Sequence, residues 1–186
     1  FEQLPNGEWV LKTDDMIVEM VMSNMGLYKA FESEDINYEQ TAVGDKYVAE
    51  NMLENNYSIG GEQSGHIIFS RYAATGDGIL TSLMIMEACV EQKATLCDLA
   101  KEMKVYPQIL RNVRVADKKT ARENPKVVEA VEAAARALST EGRILVRESG
   151  TEPLIRVMVE AGTEEICAEH VNNVVRVMEE EGLVVE

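Results

Sequence analysis

The sequence predicts two consecutive domains, an α/β domain followed by an α+β domain. In the first, residues 16–106, strand-like apolar runs alternate with helix-like segments, a rhythm typical of a sheet with helical connections. In the second, residues 107–186, the order is strand, helix, two strands and helix, which favours a sheet with helices on one face. The boundary is placed at Tyr106-Pro107, where the helical pattern stops, because a proline disfavours helix in the residue before it.

Residues 1–15 fit neither pattern. They contain Pro5-Asn6-Gly7 between short apolar groups, a turn signal that suits a small hairpin. A native hairpin and a foreign addition to the natural chain are both compatible with this segment. We therefore expect it to lie outside the two domains as an atypical N-terminal segment.

Caps and glycine breaks give the order of elements in the first domain. Serine, asparagine, aspartate and threonine stand where helices should begin, since their side chains accept hydrogen bonds from free backbone N–H groups. The predicted order is a strand over 16–22, a helix capped by Ser23 or Asn24, a strand over 37–43, a helix starting at Asp45, strands over 57–60 and 66–70, a helix over 79–91 and a last helix from Thr95.

The helix predicted over 79–91 is mostly apolar. A helix with so few polar positions needs a partner surface, because little of it is suited to water. We therefore expect it to lie against the sheet of the first domain. The side chains that require this are Leu80, Leu83, Met84, Ile85, Met86 and Val90.

The second domain also has clear signals for where its helices begin and end. Asn124-Pro125 begins a helix, because asparagine caps and proline suits the first helical position, and Gly142 ends it. Thr163 caps the last helix and Gly182 closes it. Strands are predicted over 109–115, 143–146 and 154–160, with 183–185 as a final edge strand or a frayed tail, and Arg111, Arg114 and Arg143 are interpreted as surface strand residues.

The 147–153 loop lies between two of these strands and reads as a hairpin. Pairing of the strands would bring Arg147 close to Arg156, with hydroxyls and backbone N–H groups between them. The guanidinium groups of the two arginines can each donate two parallel hydrogen bonds to phosphate oxygens, and the hydroxyls of Ser149 and Thr151 are further donors. Gly150 allows a positive φ, which can direct successive backbone N–H groups towards one anion. From these residues alone, a phosphate cradle and an ordinary polar hairpin loop remain equal alternatives.

A glycine-rich loop over 60–66 is the second candidate. Glu62 and Ser64 are one residue apart, so in an extended segment both point the same way and can grip neighbouring hydroxyls of a sugar ring. His66 follows with a side chain suited to proton transfer near neutral pH. An exposed loop and a structural histidine are the ordinary alternatives. Lys46 is a further candidate for orienting a substrate, although a lysine at a helix start is normally only solvated.

Charge and cysteine content restrict the functional classes. The formal net charge of the 186 residues is −15, from 18 Lys and Arg against 33 Asp and Glu, which argues against nucleic-acid or anionic-membrane partners. No apolar run approaches the roughly 20 residues of a membrane span, and no signal peptide is recognisable. Three cysteines without a C-x-x-C spacing indicate neither a disulfide framework nor a zinc site, and they fit a reducing cytoplasm.

The two loops together carry a family resemblance. The sequence resembles the α-D-phosphohexomutases in the residues, order and spacing of two motifs, RESGTEPLIR at 147–156 and GGEQSGH at 60–66. The resemblance runs from about Met16 onward and includes 21–24 (VMSN), 41–45 (TAVGD) and 75–78 (TGDG). It implies that 16–106 is the mixed-sheet α/β/α third domain of the family and 107–186 its TBP-like α+β fourth domain.

The resemblance also implies roles for the loop residues. Arg147, Ser149, Gly150, Thr151 and Arg156 would bind the phosphate of the substrate that does not react. In the other loop, Glu62 and Ser64 would hold the hexose hydroxyls. His66 would be an auxiliary acid or base, and Lys46 would help to orient the substrate.

The activity implied by the resemblance is a phosphosugar isomerisation. Family members pass phosphate between a phosphoserine and the sugar through a bisphosphorylated intermediate, with Mg²⁺ held by a D-x-D-x-D-R loop. Neither element is present in this sequence, so we expect a C-terminal part that is inactive alone, binds no metal itself and works with N-terminal domains 1 and 2 of a parent chain.

Within this resemblance, the sequence of the 60–66 loop favours a hexosamine phosphate as substrate. It implies that glucosamine 6-phosphate and glucosamine 1-phosphate are interconverted for amino-sugar and peptidoglycan precursor synthesis. Two alternatives stay open. One is a phosphomannomutase or phosphoglucomutase of the same family, and the other is a phosphosugar-binding module without catalysis.

Overall fold

The computed structural model describes residues 2–3, 5, 9–10, 15–101 and 103–185. The chain divides into two compact units, Phe1–Lys104 and Val105–Glu186. The first unit contains a two-stranded and a four-stranded sheet, and the second unit contains a three-stranded sheet. None of the helices in the described part of the chain has both the length and the apolar character needed to cross a membrane.

The first unit opens with a two-residue antiparallel pair, β1 (Glu2–Gln3) and β2 (Trp9–Val10), in which Gln3 lies opposite Trp9. This pair confirms the small hairpin predicted for the segment, while Asn6 and Gly7 of its predicted turn lie outside the described residues.

A four-stranded mixed sheet forms the centre of the first unit. Its order is β4-β3-β5-β6, with β3 parallel to β4 and β5, and β5 antiparallel to β6. The mixed sheet and its helical connections confirm the α/β class. The elements are β3 (Ile17–Met20), α1 (Met25–Ser33), β4 (Tyr38–Thr41), α2 (Asp45–Asn55), β5 (Ile59–Gly61), β6 (Ile67–Phe69), α3 (Gly78–Gln92) and α4 (Leu96–Leu99).

Helix α2 covers one face of this sheet. Its Val48 and Met52 pack with Val18 of β3 and Ile68 of β6 in a cluster at most 3% exposed. Gly60 makes this approach possible, because a Cβ there would lie 2.6 Å from Met52 Sδ and 2.7 Å from Val48 Cγ1. The absence of a side chain at this position therefore sets how closely the helix packs on the sheet.

The expectation that α3 lies against the sheet is wrong. Its main contacts are with β6 and with the short α4, and none of its residues is buried. Ile79 and Val90 are 76% and 75% exposed, and Leu83 and Met86 between them are also more than half exposed. The apolar residues showed that α3 needs a partner surface, but their pattern does not say which surface provides it, and the strand at the sheet edge covers little of the helix.

The second unit is a three-stranded antiparallel sheet of order β7-β9-β8 with helices on one face, which confirms the α+β class. An isolated bridge between Val115 and Val184 extends it, resolving the alternatives left open for the C-terminal residues. The elements are β7 (Gln108–Arg114), α5 (Lys118–Glu123), α6 (Pro125–Leu138), β8 (Arg143–Glu148), β9 (Leu154–Glu160) and α7 (Glu164–Glu180).

Helix starts in the second unit agree with the predicted caps. Asn124 caps α6 by accepting from the N–H groups of Lys126 and Val127, and Thr163 caps α7 by accepting from Ile166. The α7 side chains that face the sheet, Cys167, Val171, Val174 and Met178, are 0% exposed. Helix α5, by contrast, is not among the predicted elements.

Arg143 corrects a further expectation, because it is not simply a surface strand residue. Its Nε lies 2.6 Å from Oε2 of Glu160, which is 0% exposed, and the two residues are opposite each other on β8 and β9. Gln108 on the other side of β9 donates to the same carboxylate at 3.0 Å. Pairing of this buried carboxylate holds the end of the sheet remote from the 147–153 loop.

Candidate functional site

The 147–153 loop joins β8 to β9, as predicted, and Arg147 lies directly opposite Arg156 in the antiparallel register. On β9, Arg156 alternates with Ile155 and Val157, whose side chains belong to the helix-covered core. Since neighbouring strand residues point to opposite faces, the two arginines lie on the face away from that core. The hairpin and the proximity of the arginines are therefore confirmed.

Two like charges at this position are only partly compensated by the described residues. The Nε atoms of Arg147 and Arg156 are buried and have no hydrogen-bond partner among the described residues. Burial, and secondly the charge of Arg156, lowers the pKa of Arg147 below its ordinary value. Like charges directly opposite each other destabilise a sheet. An anion between the two guanidinium groups would satisfy the Nε donors and remove the repulsion.

One carboxylate partly neutralises this pair. Glu152 lies in the loop, and its Oε2 is 3.4 Å from Nη2 of Arg156. Its side chain is 55% exposed, so water screens the interaction. Arg156 is therefore already paired on one side, while no ion pair of Arg147 is found among the described residues.

The loop backbone presents two free donors. Ser149 N donates to Leu154 O at 2.9 Å, and Leu154 N donates to Glu152 O at 2.8 Å. Glu152 N donates to Ser149 Oγ at 3.3 Å. Within residues 147–154, all of which are described, this leaves the N–H groups of Gly150 and Thr151 without a protein partner, and both residues are exposed. These two amides are available to a ligand.

The backbone at Gly150 differs from the expectation. Gly44, Gly65 and Gly182 have positive φ among the described glycines, but Gly150 does not, so the predicted positive φ there is wrong. A Cβ at Gly150 would meet nothing within 4 Å. The hydrogen bonds from the amides of Ser149, Glu152 and Leu154 close the turn without a left-handed residue.

Ser149 and Lys118 support the loop from inside. Ser149 is 2% exposed, and its hydroxyl accepts the Glu152 amide, so the side chain shapes the loop. Lys118 Nζ donates to the carbonyl oxygen of Ser149 at 2.7 Å. The sequence gives no signal for this contact, because Lys118 lies 31 residues earlier, in the short helix α5.

In the 60–66 loop, the structure brings Glu62, Ser64 and His66 together. Ser64 Oγ donates to Glu62 Oε1, and His66 Nδ1 lies 2.5 Å from the same oxygen. Ser64 Oγ is also 3.0 Å from His66 Nδ1. Both hydrogen bonds between the histidine and other described residues involve Nδ1. A relay from acid through imidazole to a serine nucleophile uses both ring nitrogens, so this arrangement is different.

Hydrogen bonds shift the pKa values of Glu62 and His66 in opposite directions. The bond from Ser64, followed by the contact with His66, lowers the pKa of Glu62 below 4.5. The bond to Glu62 raises the pKa of His66 above 6.5. The Glu62 side chain is 10% exposed and that of His66 is 56% exposed. A carboxylate, a hydroxyl and an imidazole therefore converge at the tip of the β5–β6 hairpin, where polar ring substituents could bind.

Glu19 is a carboxylate near this loop that was not predicted. Its Oε1 is 3.2 Å from the position that a Cβ on Gly61 would take. Its Oε2 accepts from Ser23 Oγ at 2.5 Å. Burial raises the pKa of Glu19, with a smaller contribution in the same direction from Glu62. The available signal was an acidic residue inside the apolar strand Ile17–Met20.

Lys46 is not in contact with the Glu62 cluster. It lies in the first turn of α2, 73% exposed, with Nζ 3.5 Å from Glu50 Oε1. Among the described residues, no group of three or more His, Cys, Asp or Glu side chains is arranged to hold a metal ion. Glu62, which is the single carboxylate of the 60–66 loop, therefore does not form part of a fitting Mg²⁺ site within the described residues.

Comparison with known proteins gives a match over nearly the whole chain. Residues 5–106 match the family model for phosphoglucomutase/phosphomannomutase, alpha/beta/alpha domain III, and residues 110–177 match its C-terminal domain. The first match extends into the segment 1–15.

Individual relatives agree with the family models. A phosphoglucosamine mutase of Lachnospira eligens is 59% identical over 91% of the chain, and one of Bacillus subtilis is 51% identical over 90%. The chain spans 38% of the length of both. A solved structure of Aspergillus fumigatus N-acetylphosphoglucosamine mutase, in complex with GlcNAc-6P and magnesium, has a TM-score of 0.75 at 18% identity, covering 91% of this chain and 39% of its own.

Proposed function

Since the chain belongs to the phosphoglucomutase/phosphomannomutase family, we propose that it is the substrate-recognising C-terminal part of a phosphoglucosamine mutase. The parent enzyme would interconvert glucosamine 6-phosphate and glucosamine 1-phosphate, as an isomerase acting through a phosphoserine and a bisphosphorylated sugar. This chain would supply the contacts to the phosphate that does not react and to the sugar.

The observation that carries the proposal is the pair Arg147 and Arg156. Their buried Nε atoms have no hydrogen-bond partner in the described part of the chain, and the same holds for the amides of Gly150 and Thr151 in the loop between them. A phosphate dianion offers several acceptor oxygens and compensates both charges. A neutral ligand would leave the repulsion between the arginines in place.

The sugar would be bound through hydrogen bonds with Glu62, Ser64 and His66. The Glu62 carboxylate accepts hydrogen bonds from vicinal hydroxyls, and the Ser64 hydroxyl donates or accepts. The raised pKa of His66 keeps it charged to a higher pH, so it can donate to a sugar oxygen and act as the auxiliary acid. Lys46 stays a candidate for orienting the substrate only if its contact with Glu50 is exchanged.

The reacting centre would lie elsewhere in the parent protein. Magnesium would be held there, because the described residues contain no fitting ligand group and a fungal structure of the same fold was solved with this ion. The partners of this chain would then be the sugar phosphate and domains I and II of its own polypeptide. When bound, the ion would neutralise charge on the phosphate being transferred.

Glucosamine phosphate is preferred to the phosphates of mannose and glucose because the relatives at 51–59% identity are phosphoglucosamine mutases. A non-catalytic phosphosugar-binding module is the second candidate. It is favoured by the position of the anion site, since the arginine pair and the free amides belong entirely to the second unit.

Calorimetric titration of the chain tests the proposal. We expect glucosamine 6-phosphate to bind with a lower dissociation constant than glucose 6-phosphate or mannose 6-phosphate, and unphosphorylated glucosamine to bind at least about tenfold more weakly, because it lacks the charged acceptor. Equal affinity for glucosamine with and without phosphate would contradict the assignment. A chain that binds but does not turn over, even with a domain I–II fragment of a relative added, would favour the non-catalytic module.

A further inference from the structure

Lys118 connects the 147–153 loop to a helix outside the hairpin. It is the first residue of α5, and its Nζ donates to the carbonyl oxygen of Ser149 at 2.7 Å. The lysine is half-buried and Ser149 is 2% exposed. A charged donor in a shielded position makes a stronger hydrogen bond than one in water, so this contact restrains the loop.

Helix α5 is capped at its start by its own sequence and is held in place by two contacts with other elements. Ala121 is 0% exposed and belongs to the core of the second unit. The Asp117 side chain caps the helix by accepting from Thr120 N at 2.7 Å. Arg122 Nη1 lies 3.4 Å from Oε1 of Glu148, the last residue of β8. Lys118 therefore reaches the 147–153 loop from a helix whose position is fixed.

The hydrogen bond from Lys118 also determines where the next N–H group points, because of the geometry of the peptide bond between Ser149 and Gly150. No cis peptide is found among the described residues, so the bond between Ser149 and Gly150 is trans. In a trans peptide the C=O and the next N–H point in opposite directions. Holding the Ser149 oxygen towards Lys118 therefore directs the Gly150 N–H away from Lys118.

The Gly150 N–H is one of the two free donors of the loop. A peptide that precedes an exposed glycine can rotate easily, because glycine accepts most backbone conformations. Gly150 is exposed, and apart from its chain neighbours no described atom lies within 4 Å of the position that a Cβ would take there. The carbonyl contact from Lys118 is the described interaction that fixes the orientation of this peptide.

We propose that Lys118 is a positioning residue of the phosphate site: it fixes the Ser149–Gly150 peptide so that the Gly150 N–H is directed at the bound phosphate. This inference deepens the proposed function and rests on it. Lys118 acts through the backbone and needs no contact with the phosphate itself, so its loss lowers phosphate affinity without removing a direct ligand.

The neighbouring lysine provides a matched control. Lys119 carries the same charge one residue away, is exposed, and lies in the same short helix. Lys118→Met and Lys119→Met therefore change the net charge equally, but only the first removes the bond to Ser149. A general electrostatic effect would be the same for both variants, whereas a positioning effect belongs to Lys118 alone.

Titration with glucosamine 6-phosphate separates these cases. Loss of one charged hydrogen bond that orders a ligand donor should raise the dissociation constant about tenfold in Lys118→Met, with less than about a twofold change in Lys119→Met. Lys118→Arg, which keeps a charged donor, should restore most of the affinity. Equal losses in Lys118→Met and Lys119→Met, with the wild type binding normally, would overturn the inference and leave the proposed function intact.

The amide resonance of Gly150 gives a second readout that needs no ligand. In ¹⁵N-resolved NMR spectra of the free protein, Lys118→Met should shift this resonance and Lys119→Met should not. An unshifted Gly150 resonance in both variants would also overturn the inference. If the wild type binds no sugar phosphate, the proposed function fails, and the inference fails with it as a statement about a ligand site.

Folding of the variants is checked by their thermal unfolding midpoints. If Lys118→Met does not fold, Lys118→Gln and Lys119→Gln take the place of the methionine pair. Glutamine is shorter and uncharged, so Lys118→Gln should still bind glucosamine 6-phosphate at least about threefold more weakly than Lys119→Gln. Equal affinities of the two glutamine variants would overturn the inference.

Discussion

Arg147 and Arg156 lie opposite each other on adjacent antiparallel strands, and the buried Nε of each lacks a hydrogen-bond partner within the described chain. A folded protein keeps two such groups together at a cost in stability, because buried donors without partners and like charges are both unfavourable. A bound anion would remove this cost. The same relationship would therefore connect the stability of the second unit with the binding of the proposed anion.

Inorganic phosphate should stabilise the second unit. Binding to the folded state alone raises the free energy of unfolding by about 2.7 kcal/mol at a phosphate concentration 100 times the dissociation constant. The measurement is the thermal unfolding midpoint in phosphate against sodium chloride of the same ionic strength. An equal shift in both salts would indicate general screening and no specific anion site.

Arg143→Met should destabilise the second unit by about 3–5 kcal/mol, because it leaves a buried carboxylate without its cationic partner. Glu160 is 0% exposed and lies 2.6 Å from Arg143 Nε. Denaturant unfolding measures the loss. Arg111→Met, which removes the same charge from an exposed position on β7, is the control and should change stability by less than about 0.5 kcal/mol. If Arg143→Met loses no more unfolding free energy than Arg111→Met, the ion pair between Arg143 and Glu160 contributes little to stability.

The contact between His66 and Glu62 should make stability depend on pH. The raised pKa of His66 means that its contribution is fully present below 6.5, the ordinary value, and is lost as pH rises through the folded-state pKa. The lowered pKa of Glu62 means that its contribution is present above 4.5 and is lost as pH falls through the folded-state pKa. The pair is therefore most favourable between these two ordinary values.

An NMR titration of the imidazole resonances measures this effect. We expect His66 to titrate above its ordinary pKa in the wild type and to return towards it in Glu62→Gln. A His66 titration that does not respond to Glu62→Gln would show that the carboxylate does not set the charge of the histidine.

Gly60→Ala should destabilise the first unit by about 1–3 kcal/mol, because the added methyl group overpacks the contact between α2 and the sheet. The new Cβ would lie 2.6 Å from Met52 Sδ and 2.9 Å from the carbonyl oxygen of Val18. Gly78→Ala is the control, since a Cβ there meets nothing within 4 Å at the start of α3. If Gly60→Ala unfolds at the same denaturant concentration as Gly78→Ala, the close approach of α2 is not tight.

Elements with local signals could be predicted from the sequence. The hairpin β8–β9 was predictable because apolar residues alternate on both sides of a loop rich in turn-forming residues. Asn124 and Thr163 marked helix starts because capping is a contact between residues two or three positions apart. Loops 147–153 and 60–66 stood out for a similar reason, since their residue types are concentrated in short stretches. The residues alone left an ordinary polar loop as the alternative in both cases, and the family resemblance supplied the roles proposed for them.

Features that depend on distant residues could not be predicted in this way. Helix α5 has one core residue, Ala121, and therefore no apolar stripe, and the bond from Lys118 to Ser149 spans 31 residues. Arg143 resembles any strand arginine until its partner Glu160 is placed opposite it. For α3, the apolar residues indicate a need for burial but do not identify the covering surface, so the prediction of sheet packing was wrong.

The most direct test of the central claim is the affinity of Arg147→Met for glucosamine 6-phosphate, measured by calorimetry beside the wild type and Arg111→Met. Removing one guanidinium from the pair should raise the dissociation constant at least about tenfold, whereas Arg111→Met should bind within about twofold of the wild type. Equal affinities of the wild type and the Arg147→Met variant would contradict the account, because the phosphate would then be held without the arginine pair.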